Sequence, residues 1–120
     1  MALLTLKFVT DLKNPHYEIV EFHGELDPSS LPGVEKELGP ILESYDRQAL
    51  IFDLSQLKFT NSEGIGFLVT SHMKLAKRKH QLFIAALRPN VRDVLELVGI
   101  PRLIPVYDTL DQATGAVPEM

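Results

Sequence analysis

The 120-residue chain is 45% hydrophobic and 23% charged, the balance of a soluble domain with one core, which excludes intrinsic disorder. Its formal net charge of -4 argues against a nucleic-acid binder, and the absence of cysteine excludes a disulfide scaffold, a cysteine–zinc site and a cysteine nucleophile. No apolar run approaches the roughly 18 residues of a membrane span, and Met1 to Thr5 lack the basic start of a signal peptide, so a cytoplasmic location is expected.

Leu4, Leu6 and Phe8 alternate with Thr5, Lys7 and Val9, which predicts a first strand. Asn14-Pro15 marks a turn. Tyr17 to His23 reads as a second strand, antiparallel to the first because the connection is short. Gly24-Glu25-Leu26-Asp27 ends it, and Pro28, Ser29 and Ser30 lead into a helix carrying Leu31, Val34, Leu38, Ile41 and Leu42. Gly39-Pro40 predicts a kink or break in that helix, and Asp46-Arg47 its exit.

Ala49 to Phe52 is a continuous apolar run ending at Asp53, the pattern of a strand covered on both faces. Leu54 to Phe59 reads as a loop, with Thr60 opening the next helix. Ile65, Leu68, Val69, Met73 and Ala76 form that helix's apolar stripe, and Lys74, Lys77, Arg78 and Lys79 crowd its end, where cations suit the macrodipole. Leu82 to Ala86 is another buried-type strand. Pro89-Asn90 precedes a short helix with Val91, Val94, Leu95 and Val98; Gly99 is its expected cap, with Pro101 beyond. Ile104 to Tyr107 reads as a last strand, placed at an edge or strand end by Pro105. Asp108-Thr109 caps a final helix over Leu110 to Ala116, and Gly115 to Met120 reads as a loose tail.

The order β-β-α-β-α-β-α-β-α implies a single α/β domain, with a core over about residues 4–114. Its central sheet is mostly parallel, with an N-terminal antiparallel strand and helices packed against it. Functional groups in such sheets gather where strands end and helices begin. That singles out the loops after Gly24 and after Asp53.

Phe59-Thr60-Asn61-Ser62-Glu63-Gly64-Ile65-Gly66 is the most informative stretch. Thr60 with Glu63 fits a capping box, although Asn61 or Ser62 serves equally well as the cap. Each version places Ser62 in the first helical turn, where free N–H groups favour an anion. Gly64 and Gly66 are poor helix-interior residues, each costing up to about 1 kcal/mol against alanine, and let another backbone approach. That backbone belongs either to the chain's own sheet or to a partner.

Taken together, the Gly24-Glu25-Leu26-Asp27 turn, the Asp53-Leu54-Ser55 strand exit, the Leu57-to-Gly66 segment and Arg88-Pro89 with the Val91-to-Gly99 helix resemble the STAS domain of bacterial anti-sigma factor antagonists. In that family the loop usually reads Asp-Ser-Ser-Gly or Asp-Ser-Ala-Gly, and its first serine is phosphorylated. Ser62 falls at that position and Gly64-Ile65-Gly66 match, but Asn61 replaces the acid and Glu63 the small residue. The resemblance implies a non-enzymatic partner-switching module in transcription regulation and stress response, without cofactor or metal. It would bind an anti-sigma serine kinase until Ser62 is phosphorylated, and a phosphatase would reverse the modification. The implied contact residues are Asp27, Ser29, Asn61, Ser62, Glu63, Gly64, Gly66, Phe67 and Thr70. Phe67 lies off the main stripe and either meets a partner or widens the core, and Asp27 either caps the first helix or meets a partner. Glu63 beside the acceptor, and the loss of the acid at Asn61, keep open an unphosphorylated STAS module in a larger signalling or lipid-transport complex. Monomer and dimer both remain open, the exposed first strand offering an edge for pairing.

A response-regulator receiver shares the α/β pattern and Asp53, but needs an acidic pair after the first strand. Val9-Thr10-Asp11 supplies one acid, Ala85-Ala86-Leu87 stands where that chemistry needs a hydroxyl residue, and Val106-Tyr107-Asp108 where it needs a lysine. Ser62 lacks the Gly-x-Ser-x-Gly elbow of a hydrolase, His16, His23, His72 and His80 show no metal-ligand spacing, and no Walker-type phosphate loop is present.

Overall fold

The computed structural model describes residues 3–10 and 13–118. Asp11, weighed above as a receiver acid, and residues 119–120 of the expected tail lie outside the described residues. The strands are β1 (Leu4–Val9), β2 (Tyr17–Leu26), β3 (Ala49–Asp53), β4 (Leu57–Thr60), β5 (Gln81–Ala85) and β6 (Val106–Tyr107). The helices are α1 (Leu31–Ser44), α2 (Ser62–Lys77), α3 (Pro89–Leu97) and α4 (Leu110–Gly115), with a 3-10 turn over Ile100–Arg102.

They form one sheet in the order β1-β2-β3-β5-β6, antiparallel between β1 and β2 and parallel elsewhere. The α/β reading holds, and β6 is an edge strand, as Pro105 implies.

The expected loop over Leu54 to Phe59 is partly a strand. β2 is longer than its apolar centre indicated: its first half pairs with β3 and its last residues with β4. A register shift between Gly24 and Glu25 separates the two pairings. Gly24 sits at φ +128° with the Leu3 carbonyl packed where a Cβ would be, so only glycine fits this bend. Its N–H donates to the Gln56 carbonyl (3.1 Å), which brings β4 alongside.

Alternation along the strands splits the core in two. Val20, Phe22, Leu50, Phe52, Leu82 and Ile84 face α1, α2 and α3. Tyr17, Ile19, Ala49, Ile51, Phe83 and Ala85 face Ala113 of α4 and Val117. β3 is buried at every residue, as its unbroken apolar run requires. The supposed loose tail is anchored at Val117, which is buried. α1 runs through Pro40 without a break, and Ser44 Oγ donates to the Pro40 carbonyl (2.9 Å). Arg78, one of the cations expected to suit the α2 macrodipole, donates Nη1 to the Tyr45 carbonyl (2.9 Å) and Nη2 to that of Leu42 (2.7 Å), capping the end of α1. Gly99 takes the left-handed conformation beyond α3, and Thr109 caps α4 through the Gln112 N–H. No helix among the described residues is long and apolar enough to cross a membrane.

Candidate partner-binding site

β4 ends at Thr60 and α2 begins at Ser62, two residues later than a helix opened by Thr60. The cap is Asn61: extended at φ -128°, its Oδ1 accepts from the N–H groups of Glu63 (3.1 Å) and Gly64 (3.2 Å). Thr60 is buried and makes no capping box. Ser62 is exposed, and its hydroxyl has no hydrogen-bond partner among the described residues. Capping therefore does not explain the serine.

Gly64 and Gly66, paired in the sequence reading, have separate roles. A Cβ on Gly64 would collide with Thr60 Oγ1 and lie 2.8 Å from the Leu26 carbonyl oxygen. The approaching backbone is the chain's own β2, and Gly64 lets the start of α2 rest on its end. Gly66 is exposed, with nothing within 4 Å of a Cβ.

Gly66 instead opens onto a groove of about 340 Å³ between α1 and α2, lined also by Leu31, Gly39, Leu42, Glu63, Phe67 and Thr70. Gly39 likewise has nothing within 4 Å of a Cβ. Two glycines, one on each helix, thus keep open a channel that their side chains would narrow. Phe67 belongs to the core: it is 7% exposed and stacks on Phe52 with centroids 6.5 Å apart. Its contact reading gives way to core packing, with one edge on the groove. Glu35, Glu63 and Lys74 line the groove; the two carboxylates form no ion pair among the described residues, whereas the lysine is paired with Glu43 (3.3 Å). The groove is therefore acidic around an apolar floor.

Asp27 and Ser29 do not line this groove; they sit in the turn before α1, directly after Leu26, which pairs with Thr60 and whose carbonyl faces Gly64 at the start of α2. Asp27 Oδ1 accepts from the Ser29 hydroxyl (2.7 Å), the Ser29 N–H (2.9 Å) and the Ser30 N–H (3.2 Å). The Ser29 hydroxyl bond, against some burial, holds the Asp27 carboxyl below its ordinary 3.8. Asp27 thus shapes the turn that leads into α1 without capping it: the N-cap position is Ser30, and no side chain caps the helix there. At the other strand end, Arg88 Nε donates to the Ser55 carbonyl (2.9 Å) and Asn90 Nδ2 to that of Lys58 (2.8 Å). These bonds fix the β3–β4 connection against α3. The α1 contributions to the groove escaped the sequence reading; Gly39, a glycine inside a helix, is the signal that could have found them.

A family model described as the STAS domain matches residues 10–113. The chain belongs to the STAS domain family. This STAS domain is similar to the crystal structure of an anti-sigma factor antagonist from Mycobacterium paratuberculosis, at 28% identity and a TM-score of 0.81 over 99% of this chain and 96% of that one. It resembles the anti-sigma-B factor antagonist of Staphylococcus aureus, 25% identical over 105 residues, or 88% of this chain and 95% of the relative. The Bacillus cell fate determinant SpoIIAA in its phosphorylated form shares the fold of this STAS domain, with a TM-score of 0.69 at 16% identity over 97% of this chain and all of that one.

Proposed function

We propose that this STAS domain is an anti-sigma factor antagonist that works by partner switching, with Ser62 as the phosphoacceptor. The observation that carries the reading is the division of labour at the start of α2. Asn61 does the capping, which leaves the Ser62 hydroxyl exposed and without a partner among the described residues. The similarity to anti-sigma factor antagonists supports it. The partner is a serine kinase of the anti-sigma type, which docks on the first turn of α2 and the acidic groove beside it. Ser62 Oγ attacks the γ-phosphorus of the kinase's ATP, ADP leaves, and the hydroxyl proton passes to a base on the kinase. A phosphatase restores the serine by hydrolysis.

Phosphorylation adds roughly -1.5 to -2 charges at that turn. The amides of Glu63 and Gly64 are already taken by Asn61, and the Glu63 carboxylate is next in sequence. The new charge is thus poorly compensated and repels a docked partner. Ser62→Asp is expected to weaken kinase binding at least tenfold, whereas Ser62→Ala binds and stays bound in the presence of ATP. Titration calorimetry of both variants against the kinase tests this, and equal affinities would overturn the switch.

Asn61 and Glu63 together favour a second reading, a constitutive STAS interaction module. Intact-mass measurement and site mapping on protein from native cells separate the two. A phosphate on Ser62 that changes with conditions supports the switch, whereas a chain that is never phosphorylated yet keeps a partner supports the module.

A further inference from the structure

We propose that β1 is a self-association edge, through which two copies of the chain join antiparallel about a twofold axis with Leu6 pairing Leu6 of the second copy. Among the described residues β1 pairs with β2 alone, so its other side is an open row of backbone donors and acceptors. Which groups point outward follows from one bond: the Glu25 N–H donates to the Leu3 carbonyl (3.1 Å). Bonding direction alternates along an antiparallel pair. Leu3, Thr5, Lys7 and Val9 therefore face β2, and Leu4, Leu6 and Phe8 present their N–H and C=O groups to the open side.

Three twofold registers are available near the strand centre. Centring on Lys7 sets two ammonium groups opposite each other and uses only Leu6 and Phe8. Centring on Thr5 uses only Leu4 and Leu6. Centring on Leu6 engages every outward residue, with Leu4 opposite Phe8 of the second copy, and sets Thr5 against Lys7, which involves no like-charge pair.

The side chains give an independent reason for the same register. Leu4, Leu6 and Phe8 share the sheet face that carries Phe22 and Val20, the face covered by the helices. Phe8 is 39% exposed there. Beside Leu4, at the other end of the strand, a hollow of about 280 Å³ opens between β1 and α1, lined by Leu3, Leu4, Leu6, Gly33 and Val34. A Cβ on Gly33 would have nothing within 4 Å. The Leu6-centred register brings Phe8 of each copy to Leu4 of the other and thus to this hollow. Knob and hollow lie on the same strand and are exchanged by the twofold, which is what an isologous interface requires. The joint is independent of any role of Ser62.

The test is sedimentation of the full chain together with single-cysteine variants, which report cleanly because the chain has no cysteine of its own. Paired residues of this type lie with Cα atoms about 5.5 Å apart, within disulfide reach. The wild type is expected to sediment at twice the monomer mass, and Leu6→Cys to form a disulfide-linked dimer under mild oxidation. Thr5→Cys and Lys7→Cys should not. Phe8→Glu, an exposed change, and Leu6→Pro, which removes an outward N–H only, should each sediment as folded monomers, with circular dichroism reporting the fold. A monomeric wild type, cross-linking through position 5 or 7 instead of 6, or a dimer untouched by both edge variants would each overturn the proposal.

Discussion

Gly64 and Gly66 stand two positions apart on α2, and alanine at each should have opposite effects. At Gly64 the new methyl meets Thr60 Oγ1 and the Leu26 carbonyl, and the latter cannot move without moving β2. Overpacking of this kind costs about 1–3 kcal/mol. At Gly66 the methyl meets nothing, and alanine restricts the unfolded chain, a gain of about 0.4–1 kcal/mol. Urea midpoints should therefore fall for Gly64→Ala and rise for Gly66→Ala. If the groove is the partner site, the stabilised Gly66→Ala protein should also bind its partner more weakly. Asp27 makes a second prediction at this scale. Its pKa is depressed first by the Ser29 hydroxyl, so its contribution to stability is fully present above the ordinary value of 3.8 and is lost as pH falls through the lower folded-state value. In an NMR titration the Asp27 carboxyl should titrate below 3.8, and Ser29→Ala should move it upward.

Between elements, the joints rest on side chains whose importance no periodicity reveals. Tyr45 follows α1, and its hydroxyl accepts from the Glu18 N–H (3.0 Å) and donates to the Ala49 carbonyl (2.5 Å). It thus pins the exit of α1 to the starts of β2 and β3. Burial, with Glu18 nearby, pushes its hydroxyl well above the ordinary phenol range, so the proton stays on at all ordinary pH. Tyr45→Phe keeps the ring and leaves two backbone groups without their partner, a loss of about 1–3 kcal/mol that a urea titration would register. The same blindness explains where sequence reading stopped. The apolar run of β3 and the existence of α2 were legible because burial on both faces, or on one helical face, writes a period into the residues. The expected α2 stripe is only half right: Ile65 and Leu68 are buried, Met73 and Ala76 are exposed, and Phe67, Ser71 and Leu75 complete the buried face. β4 was not, because Lys58 and Phe59 at its centre are exposed and only Leu57 and Thr60 are buried. Its pairing depends on the Gly24 bend, a tertiary fact. Ser62 was found through the strand-to-helix junction, but the cap could be assigned only from the direction of the Asn61 side chain.

Across the whole molecule, the two sheet faces are unequally covered. Three helices pack on one, and on the other α4 and Val117 close over Tyr17, Ile19, Ala49, Ile51, Phe83 and Ala85. A short helix of six residues has little intrinsic stability, so its place depends on this contact. Val117 lies beyond the last helical residue and is only 8% exposed, so the chain is held past the point where helical periodicity ends. Burying a valine side chain contributes about 1.5–3 kcal/mol. A chain ending at Ala116 should therefore unfold at a lower urea concentration by that amount, as should Val117→Ser in the full chain to a similar degree. The α1–α2 groove and Ser62 belong to elements packed on the opposite face, so partner affinity should survive the truncation under conditions where the chain remains folded. An unchanged midpoint would return these residues to the loose tail that composition predicts. A lower midpoint with intact partner binding would show the α4 face acting as a structural lid, with recognition confined to the other side of the sheet.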